Sequence, residues 1–337
     1  MFTFAKGTIR AVKKQLLRNR KMLIGGLAIL LPGLILGLIF IPGIDKTQLK
    51  NRPSFASIDL AESEITKQEQ NFLKMRPDNE KKFFFFAQDK FAELGLVYIP
   101  GFSATRREIS PVIENLAQQL KASLFMTRFA GHGQSGDEFA NIKAEDFLSD
   151  GLEALQVSRV LGKKKIWIGT STGALAALWV AANFPNEIDS LILVSPAFDL
   201  KPAQSRFLAG YLGPLVIKVL VGPYREWTPV SPEQKKYWHT RYRAESLTAL
   251  TRLVSWNHEI NLAKLKIPVL ILYTPFDDVV EVSSIIKKFN ELGSKKKSLL
   301  SIPSKNHVLA GAITSPETTE LVTQEMLKWI QGLNSKE

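Results

Sequence analysis

The stretch Ile166–Leu178, IWIGTSTGALAAL, decides how this chain is read. Three apolar residues run into Gly169-Thr170-Ser171-Thr172-Gly173, a G-x-S-x-G, and an alanine-rich segment of helix length follows. In that setting the five letters describe a serine held at a sharp strand-to-helix turn, its hydroxyl raised above a sheet. Glycines on both sides let neighbouring backbone come close. The letters alone are only suggestive; the apolar strand before them and the helix after them give them weight.

A serine nucleophile needs a general base, usually histidine, and the base needs a carboxylate to fix its tautomer. In sheets that present a serine this way the chain order is serine, acid, histidine. Of His132, His239, His258 and His307, only His307 follows the last predicted strand, in SIPSKNHVLAG. The strand before it ends in VLILYTPFDDVV, offering Asp277 and Asp278 as the acid. Two backbone N–H groups should hold the oxyanion: Thr172, next to the serine, and Phe102 in the loop YIPGFSATRRE.

Working outward, short apolar runs at 83–86, 96–99, 123–127, 165–168, 190–194, 267–273 and 298–302 read as strands. Helix-length stretches at 108–120, 144–161, 173–183, 282–292 and 317–330 alternate with them. The pattern predicts an α/β fold, a mainly parallel sheet flanked by helices. From about Leu200 to Ala263 the rhythm breaks into helical pieces rich in Tyr and Trp, with no good strand. This insertion should roof a cleft at the carboxyl ends of the strands, as a helical lid. Within it, the apolar Phe207–Val221 reads as a face packed on the sheet, or else as a lid surface meeting an acyl chain or a bilayer. Trp227, Tyr237, Trp238 and Tyr242 read as the insertion's core rather than a pocket wall.

The chain has 337 residues and a formal net charge of +12. Seven of those charges, Lys6, Arg10, Lys13, Lys14, Arg18, Arg20 and Lys21, lie in the first 21 residues without an acid. Residues Met22–Ile44 then run 23 residues without any charge, which as a helix reaches roughly 34 Å, enough for a hydrocarbon core of about 30 Å. Only Lys46, Lys50 and Arg52 follow within twenty residues, so the asymmetry puts the N-terminus in the cytoplasm and the rest outside. The run is too long for a signal peptide and lacks a small-residue cleavage site, which predicts an uncleaved anchor. The expected organisation is a basic cytoplasmic segment at 1–21, a transmembrane helix at 22–44, a tether at 45–81 with one helical patch near Ile65–Met75, and a catalytic domain at 82–337.

Zero cysteines exclude disulfides, thiolate metal sites and a Cys nucleophile. No metal-binding spacing and no glycine-rich phosphate loop appears, so no metal or cofactor is expected. The remaining basic runs, such as Lys163–Lys165 and Lys295–Lys297, are scattered, which argues against nucleic acid as a partner.

Taken together, YIPGFSATRRE, TRFAGHGQS, IWIGTSTGALAAL, LILVSPAF, PVLILYTPFDDVV and NHVLAG resemble the α/β-hydrolase superfamily. Within it they are similar to the monoacylglycerol-lipase-like and carboxylesterase-like branch of serine hydrolases. MRPDNEKKF and REWTPVSPEQKKYW look like members that carry an N-terminal membrane anchor. The resemblance implies Ser171 as nucleophile, His307 as base and Asp277, rather than Asp278, as acid. It gives His132 a structural role. One departure stands out: relatives usually carry His-Gly where this chain has Pro100-Gly101. Proline lacks an N–H, but the donor wanted lies at Phe102.

The function expected is hydrolysis of lipid-like or other apolar acyl esters at a membrane. An aminopeptidase or amidase would need an acid to hold a substrate amine, with Glu226, Glu233 and Glu245 as candidates. A thioesterase would use the same three residues, and a catalytically silent membrane-anchored binding module is the alternative of another class. Acyl length and oligomeric state are not written in the sequence.

Overall fold

A computed structural model describes residues 32–333, apart from 35, 38, 51 and 53. Among the described residues lie nine strands: β1 (Lys82–Phe85), β2 (Ala92–Ile99), β3 (Ser123–Met126), β4 (Gly162–Thr170), β5 (Ser190–Val194), β6 (Tyr224–Glu226), β7 (Arg241–Arg243), β8 (Val269–Tyr273) and β9 (Lys297–Ser301). Seven form one sheet in the order β1-β3-β2-β4-β5-β8-β9. Of these seven only β1 runs antiparallel, against β3.

The alternation of side chains along each strand splits the core into two layers. Val97, Ile99, Trp167, Leu191, Leu193 and Ile271 point to one face and Leu96, Tyr98, Ile166, Ile168, Ile192 and Leu272 to the other. Both sets are buried, so the central strands read as unbroken apolar runs, as parallel strands covered on both sides must. Helices α1 (Ile58–Gln70), α2 (Val112–Gln119), α3 (Gly136–Ala140), α4 (Ala144–Leu161) and α5 (Thr172–Asn183) precede the insertion. Helices α6 (Gly213–Leu220), α7 (Pro232–Tyr237) and α8 (Ser246–Asn257) belong to it, and α9 (Val282–Glu291) and α10 (Pro316–Gly332) follow. Thus α4, α5 and α8 cover one face of the sheet, and α2 and α10 the other.

Two sequence expectations need correction. The insertion contains a small antiparallel ribbon, β6 against β7, whose three-residue strands are too short to show an alternating pattern. Residues 45–81 are no free tether. Ser57 caps α1, its hydroxyl accepting from the Leu60 N–H, and Ile58, Ala61 and Ile65 are buried against the domain. The buried Glu69 carboxylate receives Arg128 Nη2 at 2.7 Å and Nε at 2.8 Å, while Arg52 pairs with Asp150 and Glu153. A polar composition conceals this because each charge meets its partner some 60 to 100 residues away.

Among the described residues no helix is long and apolar enough to cross a membrane. The basic segment 1–21 and residues 22–31, 35 and 38 of the uncharged run lie outside the described residues.

Candidate active site

Ser171 stands between the end of β4 and the start of α5 with φ 53° and ψ −112°, a backbone conformation a side-chain-bearing residue adopts only under constraint. The constraint is visible. Ser171 N–H donates to Val194 O at 2.8 Å, and a Cβ on Gly173 would overlap Ile99 O and lie 2.6 Å from Pro100 O. The glycine is the condition for the turn to pack against the end of β2.

Asp277 and His307 arrive from the loops after β8 and β9. Asp277 Oδ2 lies 2.7 Å from His307 Nδ1, while its Oδ1 accepts the Val279 and Val280 N–H groups, each at 2.9 Å. Burial opposes ionisation of Asp277, yet the His307 hydrogen bond and charge and the two backbone donors outweigh it, holding the carboxyl below its ordinary value. Asp278, its neighbour, is exposed and lines the cleft, while the His307 Nδ1 bond goes to Asp277. His307 Nε2 is buried and has no hydrogen-bond partner. An imidazole fixed through Nδ1, with Nε2 unspent, is ready to exchange a proton there.

The loop after β2 supplies the rest. Gly101 N–H donates to Glu108 Oε2 at 2.8 Å, and Ser103 N–H donates to His132 Nε2 at 3.0 Å. The flanking donors are thus committed, leaving the Phe102 N–H between them without a protein acceptor among the described residues. The His132 tautomer follows from its partners: Nδ1 faces Ala130 O at 3.0 Å, and Nε2 accepts. Burial pushes the pKa of His132 down to about 3, so it is a neutral structural residue. The Phe102 ring sits edge-on to Phe139 and Tyr242, which steadies the same loop.

Sequence patterns do not disclose Glu108. It lies in RRE, a stretch that looks solvated, and only an acid placed seven residues after Gly101 hints at it. In the fold it is buried, accepts from Tyr98 OH at 2.9 Å as well as from Gly101, and has its pKa raised to about 7 by burial. Its Oε1 would lie 2.8 Å from a Cβ on Gly101, which itself would be 3.3 Å from Ser171 Cβ.

Ser171, Thr172, Phe102 and His307 share one cleft of about 700 Å³, and Asp277 stands behind His307. Its roof comes from the insertion. Trp227, Trp238 and Tyr242 line the cleft, contrary to their reading as core alone, whereas Tyr237 turns away to bond Asp78. Glu226, Glu233 and Glu245 lie outside the cleft lining; Glu226 pairs with Arg241 and Glu245 with Arg243. Among the described residues no cluster of side chains could hold a metal ion.

A parallel sheet, a serine strained at the β4–α5 turn, and an acid–histidine pair on later loops define an α/β-hydrolase. Residues 94–311 match the hydrolase family described as serine aminopeptidase, S33, and the chain belongs to that family. It also resembles solved structures. A structure of the metagenome-derived lipolytic enzymes LipS and LipT superposes with a TM-score of 0.64 at 18% identity, covering 77% of this chain and 100% of that one. The monoacylglycerol lipase of Paleococcus ferrophilus gives 0.59 at 17% identity, covering 75% and 98%. A soluble variant of the Saccharomyces cerevisiae monoglyceride lipase gives 0.58 at 15%, covering 76% and 92%. At these identities the likeness speaks for the fold alone. No curated protein matches the chain in sequence.

Proposed function

We propose that this hydrolase is a membrane-anchored serine esterase that cleaves lipid-like or other apolar acyl esters through an acyl-enzyme. The observation that carries the reading is the 2.7 Å Asp277–His307 pair, whose free Nε2 shares a cleft with the strained Ser171. Ser171 Oγ attacks the acyl carbonyl as its proton passes to His307 Nε2. Asp277 stabilises the imidazolium that forms, and the Phe102 and Thr172 N–H groups receive the oxyanion. His307 then protonates the leaving alcohol. Water, deprotonated by the same nitrogen, releases the acid.

Two features favour an apolar ester over a charged amine substrate. The roof is aromatic, and Glu226, Glu233 and Glu245 lie outside the cleft lining. Of the acids that do line it, Glu108 is committed to the Gly101 N–H and the Tyr98 hydroxyl, and Asp278 stands in the loop after β8. The uncharged run 22–44 supports a seat at a bilayer, and the basic segment before it favours a cytoplasmic N-terminus with the catalytic domain outside.

The test is a fluorophosphonate probe applied to the full chain. Wild type should be labelled at Ser171, and Ser171→Ala should not. Absence of label on the folded wild type, or equal label on the variant, removes the serine-hydrolase reading. A panel of esters, thioesters and aminoacyl amides then orders the leaving groups.

A further inference from the structure

We infer that the outer face of α6, with the coil leading into it, is a second membrane-contact surface that sets the mouth of the cleft on the bilayer. The inference rests on the anchoring reading of residues 22–44 and adds a contact that reading does not contain.

The first observation is the surface itself. Tyr211, Leu215, Val219 and Leu220 are 60%, 56%, 73% and 75% exposed, while Ile217 is wholly buried beneath them. Four large apolar side chains gathered on one face are costly to leave in water. The second is where the apolar run ends. Leu212 N–H donates to Gly37 O at 2.9 Å and Tyr211 N–H to Phe40 O at 3.3 Å. The Phe40 ring stacks on Tyr211 at 5.7 Å, and Trp256 Nε1–H reaches Pro42 O at 2.7 Å. Leu36, Ile39 and Phe40 are themselves exposed, so the two apolar surfaces are one.

A count then places the depth. A helix needs roughly 17 to 25 apolar residues to cross the hydrocarbon core; counted from Met22 the eighteenth is Ile39, after which residues 40–45 are not helical. Gly37, to which Leu212 is hydrogen-bonded, comes two residues before that end, and Phe40, to which Tyr211 is bonded, follows it directly. Tyr211 and Leu212 therefore sit at the membrane boundary when the run crosses it. Helix α6 has eight residues, about 12 Å, and is too short to span, so it lies in the interfacial plane.

Charge agrees with a lipid surface. Of the cations between Asp199 and Glu226, Lys201 and Arg225 line the cleft, Lys201 Nζ donating to Asp277 O at 2.6 Å, which leaves Arg206 and Lys218 to meet anionic headgroups. Leu208 and Val221 of the same stretch line the cleft. An apolar ester could thus pass from lipid to Ser171 without crossing bulk water.

The absence of native cysteine makes the test clean. The full chain, carrying Leu215→Cys or Val219→Cys with an environment-sensitive fluorophore, is placed in phosphatidylcholine–phosphatidylglycerol vesicles containing acyl-chain spin-labelled lipid. Lys163→Cys, at the start of β4 and so at the far end of the sheet from Ser171, is the reference. Quenching at 215 and 219 several-fold stronger than at 163 is expected. Flotation with the vesicles but equal quenching at all three sites overturns the surface and leaves the anchor standing. Disulfide cross-linking between two molecules of the unlabelled Val219→Cys variant, in place of quenching, assigns the face to a second copy and also overturns it. Release of the chain by alkaline carbonate overturns the anchoring reading and this surface with it. A double variant Leu215→Ser, Val219→Ser should hydrolyse vesicle-borne ester about tenfold more slowly and a short water-soluble ester unchanged; equal loss on both substrates counts against the surface.

Discussion

The floor of the cleft and its roof are held by different kinds of contact. On the floor, the groups that support the reacting atoms are committed, Gly101 to Glu108, Ser103 to His132, and Asp277 to His307 and to two backbone N–H groups, while His307 Nε2 is left without a partner. The elbow itself packs so tightly that one glycine has no room for a methyl group. On the roof, from 205 to 231, Ala209 and Ile217 are buried but most large apolar side chains face outward, although α8 behind it is packed on the core. The contrast fits a division of labour: reacting groups need fixed geometry to within fractions of an ångström, whereas an apolar pocket wall needs only area. Substitutions on the floor should therefore change kcat steeply, and substitutions on the roof should change substrate preference gently.

The largest effect is expected at Asp277. Asp277→Asn keeps the side-chain volume but offers His307 an amide that no longer stabilises the imidazolium and allows the wrong tautomer. The ester kcat should fall by about 10⁴-fold while the melting temperature stays close to wild type. A loss below about tenfold would mean that His307 does not work through this carboxylate.

Next comes the clamp on the oxyanion loop. Glu108→Leu leaves the Gly101 N–H and the Tyr98 hydroxyl without their acceptor, and kcat should drop by about 10- to 100-fold. Glu108→Gln retains an accepting oxygen and should restore most of that loss, which a merely space-filling role would not require. The same residue predicts a pH effect. Unfolded, Glu108 ionises near its ordinary 4.5; folded, burial keeps it protonated to about 7. The folded state binds the extra proton between those values, so stability is fully present below pH 4.5 and is lost as pH rises towards 7. The loss should be at most about 3 kcal/mol. Denaturant titrations of wild type and Glu108→Gln across that window should diverge, the variant being flatter.

How far the sequence carries follows from the same contrast. The sheet is readable because its central strands are uninterrupted apolar runs, and the elbow because strand, serine and helix are contiguous. Spacing does not separate Asp277 from Asp278. The family resemblance prefers Asp277, and its physical reason appears when the turn brings Val279 and Val280 N–H groups onto Oδ1 and leaves Oδ2 for His307. Glu108 is nearly hidden because its burial comes from how the loop 101–111 folds, and its spacing from Gly101 is the one local hint. Residues 45–81 mislead for a related reason: Arg52, Glu69 and Lys81 look solvated until Asp150, Arg128 and Glu153 are brought beside them. Local composition records polarity and is blind to distant neutralisation.

On the roof, Trp227→Ala removes an aromatic wall from the cleft without touching the reacting groups. KM for a long-chain ester should rise about tenfold, with kcat and the short-ester KM changed less than about threefold. Equal losses on both substrates would place Trp227 in support of the floor instead.

The smallest effect should come from Glu226→Gln, and it separates ester from aminoacyl chemistry. Glu226 is exposed on β6, outside the cleft lining, and its 3.6 Å pair with Arg241 is solvated on both sides. Exposed pairs of this kind contribute between zero and about 1 kcal/mol, so stability should scarcely move. Ester turnover should change by less than about twofold for the same reason. An enzyme that gripped a substrate ammonium through Glu226 would behave otherwise: neutralising the carboxylate would raise KM for an aminoacyl amide by about 10- to 100-fold and leave neutral esters alone. Measuring both substrates on one variant thus decides whether Glu226 recognises a substrate ammonium, and a flat response on both is the outcome expected here.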